Sequence, residues 1–350
     1  ASGLACGSEQ DKMKLRAEIN TLVSHNSRRI GEHMFIHKLF TEADIPYTII
    51  KGFACSLYYS DPMLRLLGDV DFLVDPQDMN RAEELLLKKG FEPVNSTGES
   101  HKVFSYKGCR YELHFEPAGI PSGDVGYEIC QLLKNTVSES ILKDTDFGTL
   151  RVPSDFHHGL IILLHMSHHM NGEGIGLRHL CDWAVFVSSF APEEFCNLFE
   201  KNLKAIGLWR FACVLTELCV EFLGCPKGIF FDTDLQGVEE YIADILKSGN
   251  LGQKSDDRTH EALLLSPDNK NKGFISNLFF SANRIVYKNW PLCKKIKVLL
   301  PLGWVFFSVR YIFRSLFGKR PKINLNNIKN EATERRDLYS RLRLFEKQEK

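Results

Sequence analysis

Gly68-Asp69-Val70-Asp71-Phe72-Leu73-Val74 is the stretch that decides the fold. It sets an Asp-x-Asp pair in a run that otherwise reads as a buried strand. Side chains on a strand alternate faces, so Asp69 and Asp71 point the same way. Two carboxylates on one face repel unless positive charge sits between them. A divalent metal supplies that charge, and Mg²⁺ favours oxygen ligands with substrate phosphates completing its shell. The stretch therefore points to metal-dependent chemistry on a nucleotide. An Asp pair at a strand end can also cap a helix or sit in a turn. Val74-Asp75-Pro76-Gln77-Asp78 reads as such a turn, and Asp75 and Asp78 receive no catalytic role.

Working outward, Ile45 to Ile50 is a short β-type run ending at Lys51-Gly52, and Phe53 to Tyr59 reads as a helix that stops before Asp61-Pro62. A glycine between strand and helix lets backbone approach a ligand, and a helix N-terminus offers N–H groups to phosphate. Alone, that pattern is often only a tight turn. Downstream, Glu112, His114 and Glu116 alternate with Tyr111, Leu113 and Phe115, so the three polar groups share a face. Lys102 to Tyr106 and Arg110 to Phe115 form an expected hairpin around Lys107-Gly108. Met79 to Lys89 is an amphipathic helix closed by Gly90, and about Gln10 to Ala43 is helical, with Leu15, Ile19, Leu22 and Val23 on its apolar face. After Pro153 the pattern becomes helical over 155–170, 176–190, 192–206, 208–223 and 235–248. A polar stretch, 249–272, reads as a loop with a weak helical patch at 260–265. The expected organisation is α+β: a small mixed sheet with flanking helices over 1–150, then a mainly helical domain over 151–350.

The chain has 350 residues, 44% hydrophobic and 25% charged, as in a globular protein, and its formal net charge is zero. General nucleic-acid binding by the whole chain is not expected. The balance is uneven: residues 284–350 carry 17 Lys/Arg against 5 Asp/Glu, a net of +12, so the rest is −12. Ten cysteines occur without a Cys-x-x-Cys pair, which fits free thiols in a reducing cytoplasm better than zinc or haem ligation. No secretory signal pattern opens the sequence, and a cytoplasmic location is expected.

Lys51-Gly52-Phe53-Ala54, Leu64-Arg65-x-x-Gly68-Asp69-Val70-Asp71-Phe72-Leu73-Val74 and Glu112-Leu113-His114 resemble the bacterial nucleotidyltransferase family of the polymerase-β-like superfamily. Leu164-His165-x-x-His168-His169 and Leu177-Arg178-x-x-x-Asp182 are similar to its His-bearing helix and its Arg-x-x-x-Asp helix. The resemblance runs from about residue 40 to 190. It implies a mixed sheet in which Asp69 and Asp71 hold Mg²⁺, or Mn²⁺ in its place, while Glu112 completes the metal site and assists the acceptor. It further implies transfer of a nucleoside monophosphate from an NTP, ATP by expectation, to the hydroxyl of a small molecule or protein. Lys51, Gly52, Ser56 and Arg65 are the nucleotide-binding candidates; His114, His168, His169, Arg178 and Asp182 are the acceptor or cleft candidates. One departure stands out: the superfamily usually has Gly or Ser after the first Gly, and here Phe53 takes that place. A non-catalytic nucleotide-sensing or partner-binding module of the same fold is the alternative.

Bland readings accompany several of these residues. Arg65 and Lys51 could be solvated surface cations, and Arg178 with Asp182 could be an ordinary i, i+4 salt bridge. His165, His168 and His169 fall at zinc-ligand spacing but are read as packed or cleft-lining. Residues 298–317 are apolar, interrupted by Pro301, Arg310 and Arg314, and flanked by Lys294, Lys295, Lys297, Lys319, Arg320 and Lys322. A buried helix is expected there; the alternative is peripheral contact with an anionic membrane.

Overall fold

The computed structural model describes residues 8–94, 100–170, 174–226, 238–249, 297–316 and 337–347, together with residues 283, 286, 287, 290, 293, 334 and 335. Two compact units partition the chain: one comprises 1–165, 181–232 and 345–350, the other 166–180 and 233–344.

The first unit opens with α1 (Glu9–Glu42), whose start is a capping box: Asp11 N donates to Ser8 Oγ and Ser8 N donates to Asp11 Oδ2. Its first half is solvated, with Leu15 and Ile19 exposed, contrary to the apolar face expected there. Burial begins at Asn26 and continues through Ile30, His33, Ile36, Leu39 and Phe40. Then come β1 (Thr48–Ile49), α2 (Gly52–Ser56), β2 (Val70–Leu73), α3 (Met79–Lys88), β3 (Glu92–Val94), β4 (His101–Tyr106) and β5 (Cys109–His114). The five strands form one sheet in the order β1-β2-β5-β4-β3. β2 and β5 are parallel and every other pair is antiparallel. This is the small mixed sheet expected from the sequence. Parallel neighbours need a long crossover, and the segment from α3 through β4 provides it.

Strand alternation divides the sheet chemically. Val70, Phe72 and Val74 face one way with Ile49, Phe104, Tyr111 and Leu113, against Ile36, Leu39 and Phe40 of α1 and Ala82 and Leu86 of α3. Burying a side chain such as Phe72 contributes about 1.5–3 kcal/mol. The opposite face carries the carboxylates. The Met79–Lys88 helix and the hairpin at Lys107-Gly108 stand as expected, Gly108 at φ +74°. The edge strand β3, α4 (Asp124–Leu133) and the hairpin β6 (Ile141–Thr145)–β7 (Gly148–Val152) went unread in the sequence. Leu150 and Val152 of β7 join the sheet core.

The helical half continues with α5 (Asp155–Met170), α6 (Leu177–Val187), α7 (Pro192–Ala205), α8 (Trp209–Leu223) and α9 (Val238–Lys247). All five follow the expected spans closely, because a 3.6-residue apolar period is long enough in each to be read. Among the described residues no cysteine forms a disulfide. A further helix, α10 (Leu300–Leu316), is not broken at Pro301. That proline lies in its first turn, where the missing N–H has no intrahelical partner to lose. Its apolar side is not buried as expected: Leu302, Val305, Phe306, Val309 and Phe313 recur along one face and all are exposed. Among the described residues no helix is long and apolar enough to cross a membrane. Residues 250–272, Lys294, Lys295, Lys319, Arg320 and Lys322 lie outside the described residues.

Candidate active site

The site is built on the β2–β5 pair. Asp71 and Glu112 are opposite each other in its parallel register, so their side chains emerge on one face. Asp69, two residues before Asp71, shares that face. Thus Asp69, Asp71 and Glu112 gather on the sheet surface away from the core. Across the β4–β5 hairpin, His101 is opposite His114, which adds two imidazoles to the same surface.

Each carboxylate meets positive charge. Lys51 Nζ donates to Asp71 Oδ1 at 3.1 Å, and His114 Nε2 lies 3.0 Å from the same oxygen. Arg110 bridges the other two, with Nε 3.1 Å from Asp69 Oδ2 and Nη2 3.0 Å from Glu112 Oε1. Glu112 Oε2 turns the other way, 3.5 Å from His114 Nε2 and 3.8 Å from His101 Nε2.

Electrostatics sorts the three acids. Burial, then the charges of Asp71 and Glu112, push Asp69 up to about 6, against the pull of Arg110 and Arg29. Burial also pushes Asp71 upward, but Lys51 and His114 outweigh it and hold that carboxyl well below the usual range. Glu112 is likewise held below its ordinary value: the hydrogen bond from His114 and the charge of Lys51 overcome burial and the repulsion of Asp71. Burial, reinforced by His114, lowers His101. At neutral pH the surface therefore presents three carboxylates whose mutual repulsion is visible in Asp69.

Lys51 reaches Asp71 from an unusual backbone. It stands at φ +55°, ψ −135°, as the residue before α2. That region is ordinarily left to glycine, and holding another residue there costs on the order of 1–3 kcal/mol. The adjoining Gly52 has no positive φ, and a Cβ on it would meet only Asp69 O, at 3.6 Å. The conformational demand thus falls on Lys51 rather than on the glycine beside it. Phe53 turns into the core, fully buried against His33 with ring centroids 5.2 Å apart. Its bulk is directed away from the carboxylates.

Other expected residues are engaged elsewhere. Ser56 is fully buried and its hydroxyl donates to Phe53 O at 2.7 Å. Arg65 is buried in a bidentate pair with Asp182, Nε to Oδ1 at 2.8 Å and Nη2 to Oδ2 at 2.6 Å, and Tyr59 OH also donates to Asp182 Oδ1. Asp182 is thereby held by the segment leading into β2, a partner other than the neighbouring-turn Arg178 read from spacing. His168, His169 and Arg178 belong to the second unit, where the rings of His169 and His179 lie 4.9 Å apart.

Three contributors were missed in the sequence. His101 could have been found by extending the hairpin register one pair beyond Lys102. Arg110 could have been found by continuing the Glu112, His114 alternation backwards. Asn26 gave no local signal. It is fully buried, donates to Met63 O and Arg65 O at 2.6 and 2.8 Å, and accepts from Leu67 N at 3.0 Å. It clamps the segment that delivers Asp69 to the site.

Residues 5–224 match the family described as uncharacterised nucleotidyltransferase. The chain belongs to this family. It is accordingly an enzyme of the nucleotidyl-transfer class. Among solved structures the chain is similar to the lincosamide antibiotic adenylyltransferase LnuA in its lincomycin-bound form, at 12% identity and TM-score 0.32, over 44% of this chain and 94% of that one. It is also similar to the antibiotic-resistance factor ANT(2'')-Ia, at 12% identity and TM-score 0.34, over 49% and 90%. A third is an antigenic nucleotidyltransferase-like protein from Paracoccidioides brasiliensis, at 16% identity and TM-score 0.37, over 56% and 88%. No curated protein matches the chain.

Proposed function

We propose that this nucleotidyltransferase moves a nucleoside monophosphate from an NTP, ATP being the first donor to test, to a hydroxyl on a small molecule or protein side chain. The observation that carries this reading is the convergence of Asp69, Asp71 and Glu112 on one face of β2–β5, with Asp69 raised to about 6 by burial and by the other two. An all-oxygen donor set under that much mutual repulsion fits a hard divalent cation. Asp69, Asp71 and Glu112 would hold Mg²⁺, or Mn²⁺, which when bound polarises the α-phosphate and neutralises charge on the leaving pyrophosphate.

The chain's own residues do the rest. Lys51 neutralises Asp71 and, on its flexible stem, is placed to meet a triphosphate. Glu112, ionised at neutral pH, accepts a proton from the acceptor hydroxyl. His114 orients Asp71 and Glu112 together, since its Nε2 lies within 3.5 Å of both. Arg65 and Asp182 act at a distance by fixing the segment that leads into β2. The domain organisation proposed is a catalytic α+β part followed by a helical part.

The deciding experiment is calorimetry of NTP binding with and without Mg²⁺, joined to pyrophosphate release with a cell extract as acceptor source. Binding that needs metal and disappears in Asp69→Asn/Asp71→Asn supports the reading. Equal binding with and without metal, and no pyrophosphate, would favour the nucleotide-sensing module instead. A second, separable property is supported by the exposed apolar face of α10: peripheral contact with an anionic membrane, with Lys297 and Arg310 exposed on the same segment.

A further inference from the structure

Glu112 faces two ways. Oε1 is turned toward Arg110 and, through it, Asp69; Oε2 is turned toward two histidines. The strand register enforces this, because His101 is the cross-strand partner of His114 and Glu112 lies two residues before His114 on the same face. One ligand atom each from His101, Glu112 and His114 lies within 4.8 Å of the others, and the two imidazole centroids are 4.8 Å apart. Ligands around a tetrahedral ion at about 2.0–2.2 Å lie about 3.3–3.6 Å from one another, close to the 3.5 and 3.8 Å that separate Glu112 Oε2 from the two imidazole Nε2 atoms, so side-chain rotations, chiefly of His101, close the set. Two imidazoles and a carboxylate are also a donor set of the wrong type for Mg²⁺, which prefers oxygen alone.

The geometry points to a second cation position, formed by His101, Glu112 and His114, that takes a borderline divalent ion of the Mn²⁺, Co²⁺ or Zn²⁺ class. It deepens the nucleotidyl-transfer reading and rests on it only in sharing Glu112 and His114. Glu112 then stands between two positions: one of oxygen donors with Asp69 and Asp71, one of nitrogen donors with the histidines. Lys51 limits the second position, because its Nζ lies 3.5 Å from His114 Nε2. Its charge opposes an ion there, so occupancy requires the ammonium to leave Asp71, and the proton on His114 Nε2 that bonds Asp71 and Glu112 is released as that nitrogen turns to the ion. Its flexible stem allows that movement without a change in the sheet.

The test titrates chelator-stripped full-length protein with Co²⁺ in excess Mg²⁺, followed by visible absorption. The expected result is saturable binding of one Co²⁺ that survives the Mg²⁺ and shows no sulfur-to-cobalt band. His101→Ala should weaken it at least about tenfold; His101 is only half-buried, so this variant tests the site without emptying the core. His101→Asp should restore cation binding but shift preference toward Mg²⁺. Lys51→Met should tighten Co²⁺. His169→Ala, which removes one imidazole of the other histidine pair, should leave the His101-dependent Co²⁺ signal unchanged. The inference is overturned if no Co²⁺ is held against Mg²⁺, if His101→Ala binds as wild type does, or if the signal follows His169. Pyrophosphate release measured in parallel separates the two readings. Co²⁺ retained in Asp69→Asn while transfer is lost supports the second position. Transfer retained by a wild type that holds no Co²⁺ overturns this inference and leaves the enzyme reading standing.

Discussion

Lys51 Nζ and Asp71 Oδ1 lie 3.1 Å apart, a largely buried ion pair whose cation comes from a strained turn and whose anion comes from β2, an inner strand of the sheet. The lysine occupies the charge role that a divalent ion would take on Asp71. Lys51→Met should therefore tighten divalent-ion binding in the absence of nucleotide, while NTP affinity falls by about tenfold or more, the scale of one hydrogen bond to a charged group. Calorimetry of each ligand separately reads the two opposite effects; movement of both in the same direction would remove Lys51 from the exchange.

The backbone of Lys51 gives an independent prediction. Lys51→Ala and Lys51→Gly both lose the amine, but only glycine relieves φ +55°. Lys51→Gly should be more stable than Lys51→Ala by about 1 kcal/mol, measured as denaturation midpoints. Equal midpoints would show that the turn relaxes at no cost.

Asp69 carries a pH signature. Its folded value of about 6 is above its unfolded value near 4. Between those values the folded state holds a proton that the unfolded state has released, so this group favours folding in acid and that contribution is lost as pH rises through 6. Burial sets it first, then the charges of Asp71 and Glu112, opposed by Arg110 and Arg29. In EDTA at pH 8, Asp69→Asn should melt above wild type, and the difference should close below about pH 4, where both states are protonated. Added Mg²⁺ should reverse the order at pH 8, because only wild type binds it fully. The side chain is 41% exposed, so solvent screening keeps the difference small.

Glu112→Gln keeps the shape and loses the charge. General-base contributions are about 10²–10⁴-fold, so turnover should fall at least about a hundredfold while NTP affinity changes much less than in Asp69→Asn. Single-turnover pyrophosphate release is the measurement, and wild-type rates in the variant would exclude Glu112 from proton transfer.

Arg65 and Asp182 are 5% and 6% exposed. Arg65→Met strands a buried carboxylate and should cost about 3–5 kcal/mol, seen in chemical denaturation. NTP affinity per folded molecule should stay within a few-fold. A selective loss of NTP affinity without loss of stability would return Arg65 to the phosphates.

The face of Leu302, Val305, Phe306, Val309 and Phe313 predicts flotation with vesicles containing anionic lipid and not with neutral ones. Phe306→Glu with Phe313→Glu should abolish it. Flotation that ignores both lipid charge and these substitutions would exclude α10 as the contact.

The sequence by itself determined the period-2 alternation of Asp69 with Asp71 and of Glu112 with His114, the hairpin at Lys107-Gly108, and the helices beyond residue 153. These are local: strand and helix periods place neighbours on a face before any tertiary contact forms. Tertiary structure decided that β2 and β5 pair in parallel with Asp71 opposite Glu112, because register is set by the packing of Phe72, Tyr111 and Leu113 against Ile36, Leu39 and Phe40 of α1, which lie far from them in the chain. It also decided that Arg65 turns to Asp182, that Ser56 turns to its own helix and that Asn26 holds the approach to Asp69. Each of these is a buried polar group that must find a partner, and the partner's position exists only once the chain has folded.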